Sequence, residues 1–289
     1  MHARHPTAEA SSAACGVAVH ALVEATLPEI AALRTAPVPA GSPALPPRFL
    51  RHSDEQTVVG MRAVLEAIAA HPAPCPSFAN YGVVAAPCRS GRIASAQTLS
   101  ALRTGGVATV SPHVVPQCSL HSIAGAVSVA LGMHGPNVGI SGGRHAVSEG
   151  LFACLSLLHE SDASGGHGIP GIWLVVSGWD VEPVLDASGQ PMAAESGPAP
   201  KCRGLAVAVT ASTEAPQQLT LHMPTGRHTV ASEAVGDELV AFARALAAGA
   251  DTGNASPWSH ACPWGAEVRL APRRMDHRTT RLPFRREAA

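Results

Sequence analysis

Aromatic side chains are nearly missing from this chain: they make up 3% of 289 residues, and charged residues only 14%. So little ring area excludes a core built around large aromatics. The interior must rest on small aliphatic side chains and closely packed backbone, for which the chain carries 27 Gly and abundant Ala. Low charge beside 46% apolar residues excludes a disordered chain. There is no excess of basic residues, and a formal net charge of -1 removes the electrostatic footprint of a nucleic-acid binder. No apolar run approaches the roughly 18 residues of a membrane-spanning helix. The opening segment MHARHPTAEASSAACGVAVHALVEA lacks the apolar stretch of a signal peptide, because His20 and Glu24 interrupt it. A cytoplasmic protein is the expectation. The seven cysteines (Cys15, Cys75, Cys88, Cys118, Cys154, Cys202, Cys262) form no C-x-x-C, and their odd number argues against a disulfide framework or a zinc knuckle. Among 15 His no H-E-x-x-H occurs, so neither a metal nor another cofactor is expected.

What is present reads as alternating helices and buried strands, which implies a layered α/β fold. Residues 1–13 read as a loose tail, 14–273 as the folded domain with a long Gly/Pro/Ser-rich loop at 186–201, and 274–289 as a basic, frayed tail. Strands are expected at 16–25, 81–87, 171–180, 204–212, 218–224 and 265–273. Helices are expected at 26–33, 53–71, 95–105, 119–135, 145–161 and 235–249, the second with Ser53 as its N-cap and the third closed by Gly105. The Pro-rich stretch 34–47 reads as an extended connection. The 119–135 helix is crowded with small residues (Ser122, Gly125, Ser128, Gly132) and invites close packing against another helix or a partner subunit.

After that helix the chain bends through Gly139-Ile140-Ser141-Gly142-Gly143, which satisfies the G-x-S-x-G pattern of a serine-nucleophile elbow. A hydrolase or acyltransferase built on Ser141 would need an acid, with Asp180 or Asp186 available, and a base, with His222, His228 or His260 available. The competing reading is that the glycines serve tight strand–helix packing. His145 and Glu149 lie four apart and are placed to pair with each other on the following helix. His121 reads as a packed or solvent-facing residue rather than a catalyst.

A longer match lies just upstream. SIAGAVSVALGMHGPN (122–137) resembles the segment that precedes the active-site cysteine in β-ketoacyl synthases of the thiolase superfamily. There a helix N-x-x-A-G-x-x-S-x-x-x-G-x-x-G-P-N leads into a strand and a T-A-C-[AS] elbow. Ala124, Gly125, Ser128, Gly132, Gly135, Pro136 and Asn137 sit in phase with it. Flanking segments agree, and the resemblance covers roughly residues 46–212. It implies a thiolase-like layered α/β fold, shortened relative to a full ketosynthase, with an elbow and acyl tunnel formed by Ile140, Ser141, Gly142, Gly143, Arg144 and His145.

The departures from that family are specific. Counted without gaps, its cysteine position falls on Arg144; with a deletion, the position is lost altogether. The G-T-x-x-x-G-D and N-x-F-G-F-G-G-x-N segments, with their histidines, are absent. No intact catalytic set is therefore expected. The resemblance implies a chain-length-factor-type subunit that forms a heterodimer with an active β-ketoacyl synthase and meets an acyl carrier protein. Fatty-acid or polyketide-like biosynthesis is the setting, including aryl-polyene pigments. Arg144 would either reach solvent or a protein carboxylate, or meet a phosphate or carboxylate of a bound acyl carrier.

Overall fold

The computed structural model describes residues 12–71, 77–141, 143–163, 168–193, 197–211, 215–223, 238–251, 258–262 and 264–272; Cys75, Gly142, His228 and the chain beyond 272 lie outside them. Strands β1 (Ser12–Thr26), β2 (Gly82–Pro87), β3 (Asn137–Gly139), β4 (Gly171–Trp179), β5 (Lys201–Thr210), β6 (Gln217–His222), β7 (Trp258–Ala261) and β8 (Glu267–Pro272) form one eight-stranded sheet in the order β3-β2-β4-β5-β1-β6-β8-β7. The pairs β2·β3 and β2·β4 are parallel, and the remaining pairs are antiparallel. Helices are α1 (Leu27–Leu33), α2 (Glu55–Ala69), α3 (Arg92–Gly105), α4 (Val114–Cys118), α5 (Ser122–Leu131), α6 (Ala146–Ala163) and α7 (Glu238–Asp251). None of the described helices is long and apolar enough to cross a membrane.

The sheet is covered on both faces, and the central strands divide their side chains between two cores at the two-residue period of a strand. Val84, Ala86, Leu174 and Val176 join α6 and α7 on one face. Val83, Ala85, Trp173 and Val175 join α1, α2 and α5 on the other. Double coverage is why β2, β4 and β5 read as near-continuous apolar runs rather than alternating ones.

Several expected boundaries move. The first strand begins at Ser12, inside the expected tail. Helix α2 is capped by Asp54, not Ser53: the Asp54 carboxylate accepts from Thr57 N at 2.9 Å and from Gly91 N at 3.0 Å. Two acceptor oxygens serve two backbone donors, while the Ser53 carbonyl accepts from Arg34. Helix α3 starts earlier than expected, at Arg92, and ends against Gly106. Its entry needs Gly91, at φ 68, because an added Cβ would lie 2.4 Å from Cys118 Cβ. The expected 119–135 helix is shorter, running as α5 from Ser122 to Leu131, where Gly132 at φ 60 ends it in the left-handed conformation; the short α4 before it was not expected. Strand β7 was not expected, since four residues give no period to read.

Candidate functional site

The bend after β3 is built by close backbone approach. Ile140 N still donates to Ala85 O on β2 at 2.8 Å. A Cβ on Gly139 would lie 2.5 Å from Leu120 O and 2.8 Å from His121 Cα, so no larger residue fits there. Gly143, at φ 50, opens a single helical turn that carries Arg144 and His145 into α6. Both glycines thus have packing or conformational reasons of their own. Ser141 and Arg144 are exposed, and Ile140 and His145 are half-buried. Among the described residues the Ser141 hydroxyl makes no hydrogen bond and no ion pair joins His145 to Glu149. Of the histidines considered as a base for Ser141, His260 is bound elsewhere. Asp186 is occupied by a turn, accepting from Ser188 and Gln190 backbone N–H groups. Asp180 holds Lys201 N at 2.8 Å and Arg203 Nη2 at 3.5 Å.

The small residues upstream are likewise used locally. Ser122 Oγ donates to Pro116 O at 2.6 Å and Ser128 Oγ to Met133 O at 3.3 Å. Gly125 is faced only by the His121 ring, 3.8 Å from where a Cβ would stand, and Gly132 is the terminator of α5.

Beside the bend lies a cavity of about 320 Å³. Its walls come from the carboxyl ends of β2 and β4 (Cys88, Ser177, Trp179), the start of α6 (Arg144, Val147), and Arg203 and Glu238. Open α/β sheets bind ligands outside the carboxyl ends of their parallel strands, which is where this cavity sits. It holds charge of both signs: Arg203 is engaged by Glu24 at 2.5 Å and by Asp180.

One wall is anchored by a buried polar cluster. Ser148, fully buried one turn past the bend, donates both its Oγ and its N–H to Glu238 Oε1, the latter at 3.2 Å. His260 Nε2 lies 2.9 Å from the same oxygen, and the His260 ring stacks on Trp258. Glu238 stands between serine and histidine, so the histidine has no path to the serine proton; a nucleophilic triad needs the histidine in the middle. The cluster ties α6, α7 and β7 together.

Among the described residues no thiol is activated. Burial pushes Cys15 up to about 12 and Cys262 to about 11, and raises Cys154 and Cys202 well above the ordinary range. Cys88, the thiol on the cavity wall, is raised first by burial and then by Glu182. Cys118 is raised by burial as well. A thiolate, not a thiol, is the nucleophile. Iodoacetamide at pH 7, read by peptide mass mapping, is therefore expected to leave Cys15, Cys154, Cys202 and Cys262 unlabelled until the chain is denatured, and to modify Cys88 and Cys118 only slowly. Stoichiometric labelling of Cys88 within minutes would overturn this.

No protein-family model and no curated protein matches the sequence. Solved structures do. The fold matches a chain of the ketosynthase (ApeO) in complex with its chain length factor (ApeC) from Xenorhabdus doucetiae, with 12% identity and a TM-score of 0.51, over 90% of this chain and 97% of the other. The fold is ketosynthase-like. Weaker likenesses are to a type II PKS acyl-carrier protein in complex with its ketosynthase bound to the hexaketide, AntDE:AntF (13% identity, TM-score 0.46, 70% of this chain and 63% of that one), and to a beta-ketoacyl synthase from Burkholderia phymatum STM815 (14%, 0.44, 69% and 59%). The single sheet covered by helices on both faces is the layered α/β arrangement that the sequence resemblance implied. The sequence missed Ser148 and Glu238. They lie 90 residues apart, and no spacing rule joins such a pair.

Proposed function

We propose that this chain is a catalytically silent, chain-length-factor-type subunit in the cytoplasm that pairs with an active β-ketoacyl synthase and shapes the space in which a carrier-bound acyl chain grows. One observation carries the reading: an exposed Arg144 stands at the bend where the family resemblance calls for a nucleophilic thiol, while the described thiols are held protonated by burial. Condensation needs a thiolate to carry the acyl group and fixed donors for the enolate. An end-to-end likeness to a chain from a ketosynthase–chain length factor complex supports the same reading. So do the exposed apolar side chains Leu99, Val107, Val115 and Val129, on α3, the turn after it, α4 and α5. Unpartnered apolar side chains on neighbouring elements suit a surface that a second subunit covers.

The test is co-expression with the ketosynthase encoded nearest to its gene, followed by sizing chromatography and analysis of the acyl products. A 1:1 heterodimer is expected, with shorter products when Ile140 is replaced by Trp. A stable monomer that ignores the ketosynthase would overturn the proposal. So would turnover of a thioester by the chain alone that disappears in Ser141→Ala.

A further inference from the structure

On the α2 side of the sheet, away from the bend, the segment 34–51 folds back between α1 and α2. With Arg62 of α2 it lines a second, open cavity of about 550 Å³, and none of its lining residues is shared with the first. Four arginines line it: Arg34, Arg48, Arg51 and Arg62. Arg62 is 4% exposed, and its guanidinium donates to backbone carbonyls alone: Leu33 O at 3.1 Å, Ala36 O at 2.6 Å and Pro37 O at 2.8 Å. Glu66, one turn on in α2, is within electrostatic range of it. Arg34 is answered by Glu55 at 3.3 Å. Arg48 and Arg51 are exposed, and among the described residues neither side chain makes a hydrogen bond or ion pair. Arg34 is thus answered by Glu55 and Asp54 and Arg62 by Glu66, whereas Arg48 and Arg51 have no carboxylate partner among the described residues.

The backbone adds a second observation. Arg48 sits at φ 65, in the left-handed region that costs a side-chain-bearing residue about 1–2 kcal/mol. Strain of this kind persists where the surroundings impose it, and it is concentrated at binding sites. The walls between the arginines are apolar, with Val38, Leu45, Phe49 and Leu50 among them. Cavities of roughly 300–1,000 Å³ with apolar walls and a few convergent polar groups are the usual shape of small-molecule sites.

We propose that this cavity binds an organic anion with an apolar body, its carboxylate or phosphate held by Arg48 and Arg51 and its body laid against Val38, Leu45 and Phe49. A guanidinium pairs with either headgroup through two parallel hydrogen bonds. A bare inorganic anion would leave the walls unfilled, and a neutral hydrocarbon would leave the cations unanswered.

The experiment is calorimetric titration of the full chain with four probes below their micellar concentrations: decanoate, decyl phosphate, decanol and inorganic phosphate. Saturable binding of at least one amphiphilic anion is expected, with decanol and inorganic phosphate at least tenfold weaker. The ratio of decanoate to decyl phosphate affinity tells which headgroup the site takes. The double variant Arg48→Ala/Arg51→Ala, altered only at exposed positions, is expected to weaken anion binding at least tenfold with little change in Tm. Arg144→Ala, at the other cavity, is expected to leave it unchanged. Absence of saturable anion binding, equal affinity for decanol, or loss of binding in Arg144→Ala instead of the double variant would overturn the proposal. No ketosynthase enters the titration, so its outcome is separate from that of the pairing test.

Discussion

Replacing Gly204 by Ala is expected to cost about 3 kcal/mol of stability, the upper end of what overpacking a core usually costs, and so to lower Tm by roughly 6–12 °C in a domain of this size. Gly204 lies on β5 directly under α2. A Cβ there would stand 2.6 Å from the carbonyl carbon of Val59, 2.7 Å from its oxygen and 2.8 Å from Gly60 N. All three are backbone atoms of a helix packed into a filled interior, so relief requires moving α2 away from the sheet. The helix cannot retreat freely, because Gln56 is tied to Cys88 O at 2.6 Å and to Ser177 Oγ at 2.9 Å. Gly150 provides the control. A Cβ there would meet Leu174 Cδ1 at 2.6 Å, the far end of a side chain that turns about its own bonds. Gly150→Ala is therefore expected to cost clearly less. Thermal unfolding of the two variants checks the order, and a Gly204→Ala chain as stable as Gly150→Ala would mean that α2 moves off β5 at little cost.

The two glycines also explain why the sequence was readable in some places and silent in others. Buried strands such as Ile172–Val176 and Leu205–Val209 announce themselves because both their faces need apolar side chains, and that local demand leaves a local record. The layered α/β class followed from records of this kind. Sheet order did not. Strand β1 lies between β5 and β6 through contacts such as Glu24 with Arg203, 179 residues apart, and no periodicity encodes that choice. The same holds within the site. The Gly-rich bend was legible, but what its glycines accommodate, the Leu120–His121 backbone against Gly139, was not. The cluster of Ser148, Glu238 and His260 joins three separated elements, so only His260 was considered, and as a partner for Ser141. Arg144 was legible as a departure from the resembled pattern because that comparison runs along adjacent residues, 137 to 144.

Asp54→Ala is the second large loss expected, about 3 kcal/mol, because one buried carboxylate serves two elements. Losing the α2 cap costs about 1–2 kcal/mol. Leaving Gly91 N–H buried without an acceptor costs a further ~1–3 kcal/mol. Asp54 accepts from Thr57 N and Gly91 N, and its Oδ2 is 3.5 Å from Ser90 Oγ. It therefore fixes the start of α2 against the turn leading into α3, at the same end of the sheet as the cavity beside the bend. Asp54→Asn separates the two roles: the amide oxygen still caps Thr57, but the amide nitrogen now faces the Gly91 donor. An intermediate loss is expected. The pH dependence has a definite sign. Burial, opposed by the bonds from Thr57 and Gly91, raises the Asp54 carboxyl above its ordinary 3.8. The native state therefore takes up a proton before the unfolded state does as pH falls, and Asp54 contributes more stability on acidification, not less. The stability gap between wild type and Asp54→Asn is expected to widen as pH is lowered from neutral towards about 4, within the window between the raised native value and the ordinary one. Chemical denaturation of both chains across that range measures it. A gap that narrows on acidification would show that the two backbone bonds outweigh burial and hold Asp54 ionised, leaving its cap role intact but reversing its contribution to acid stability.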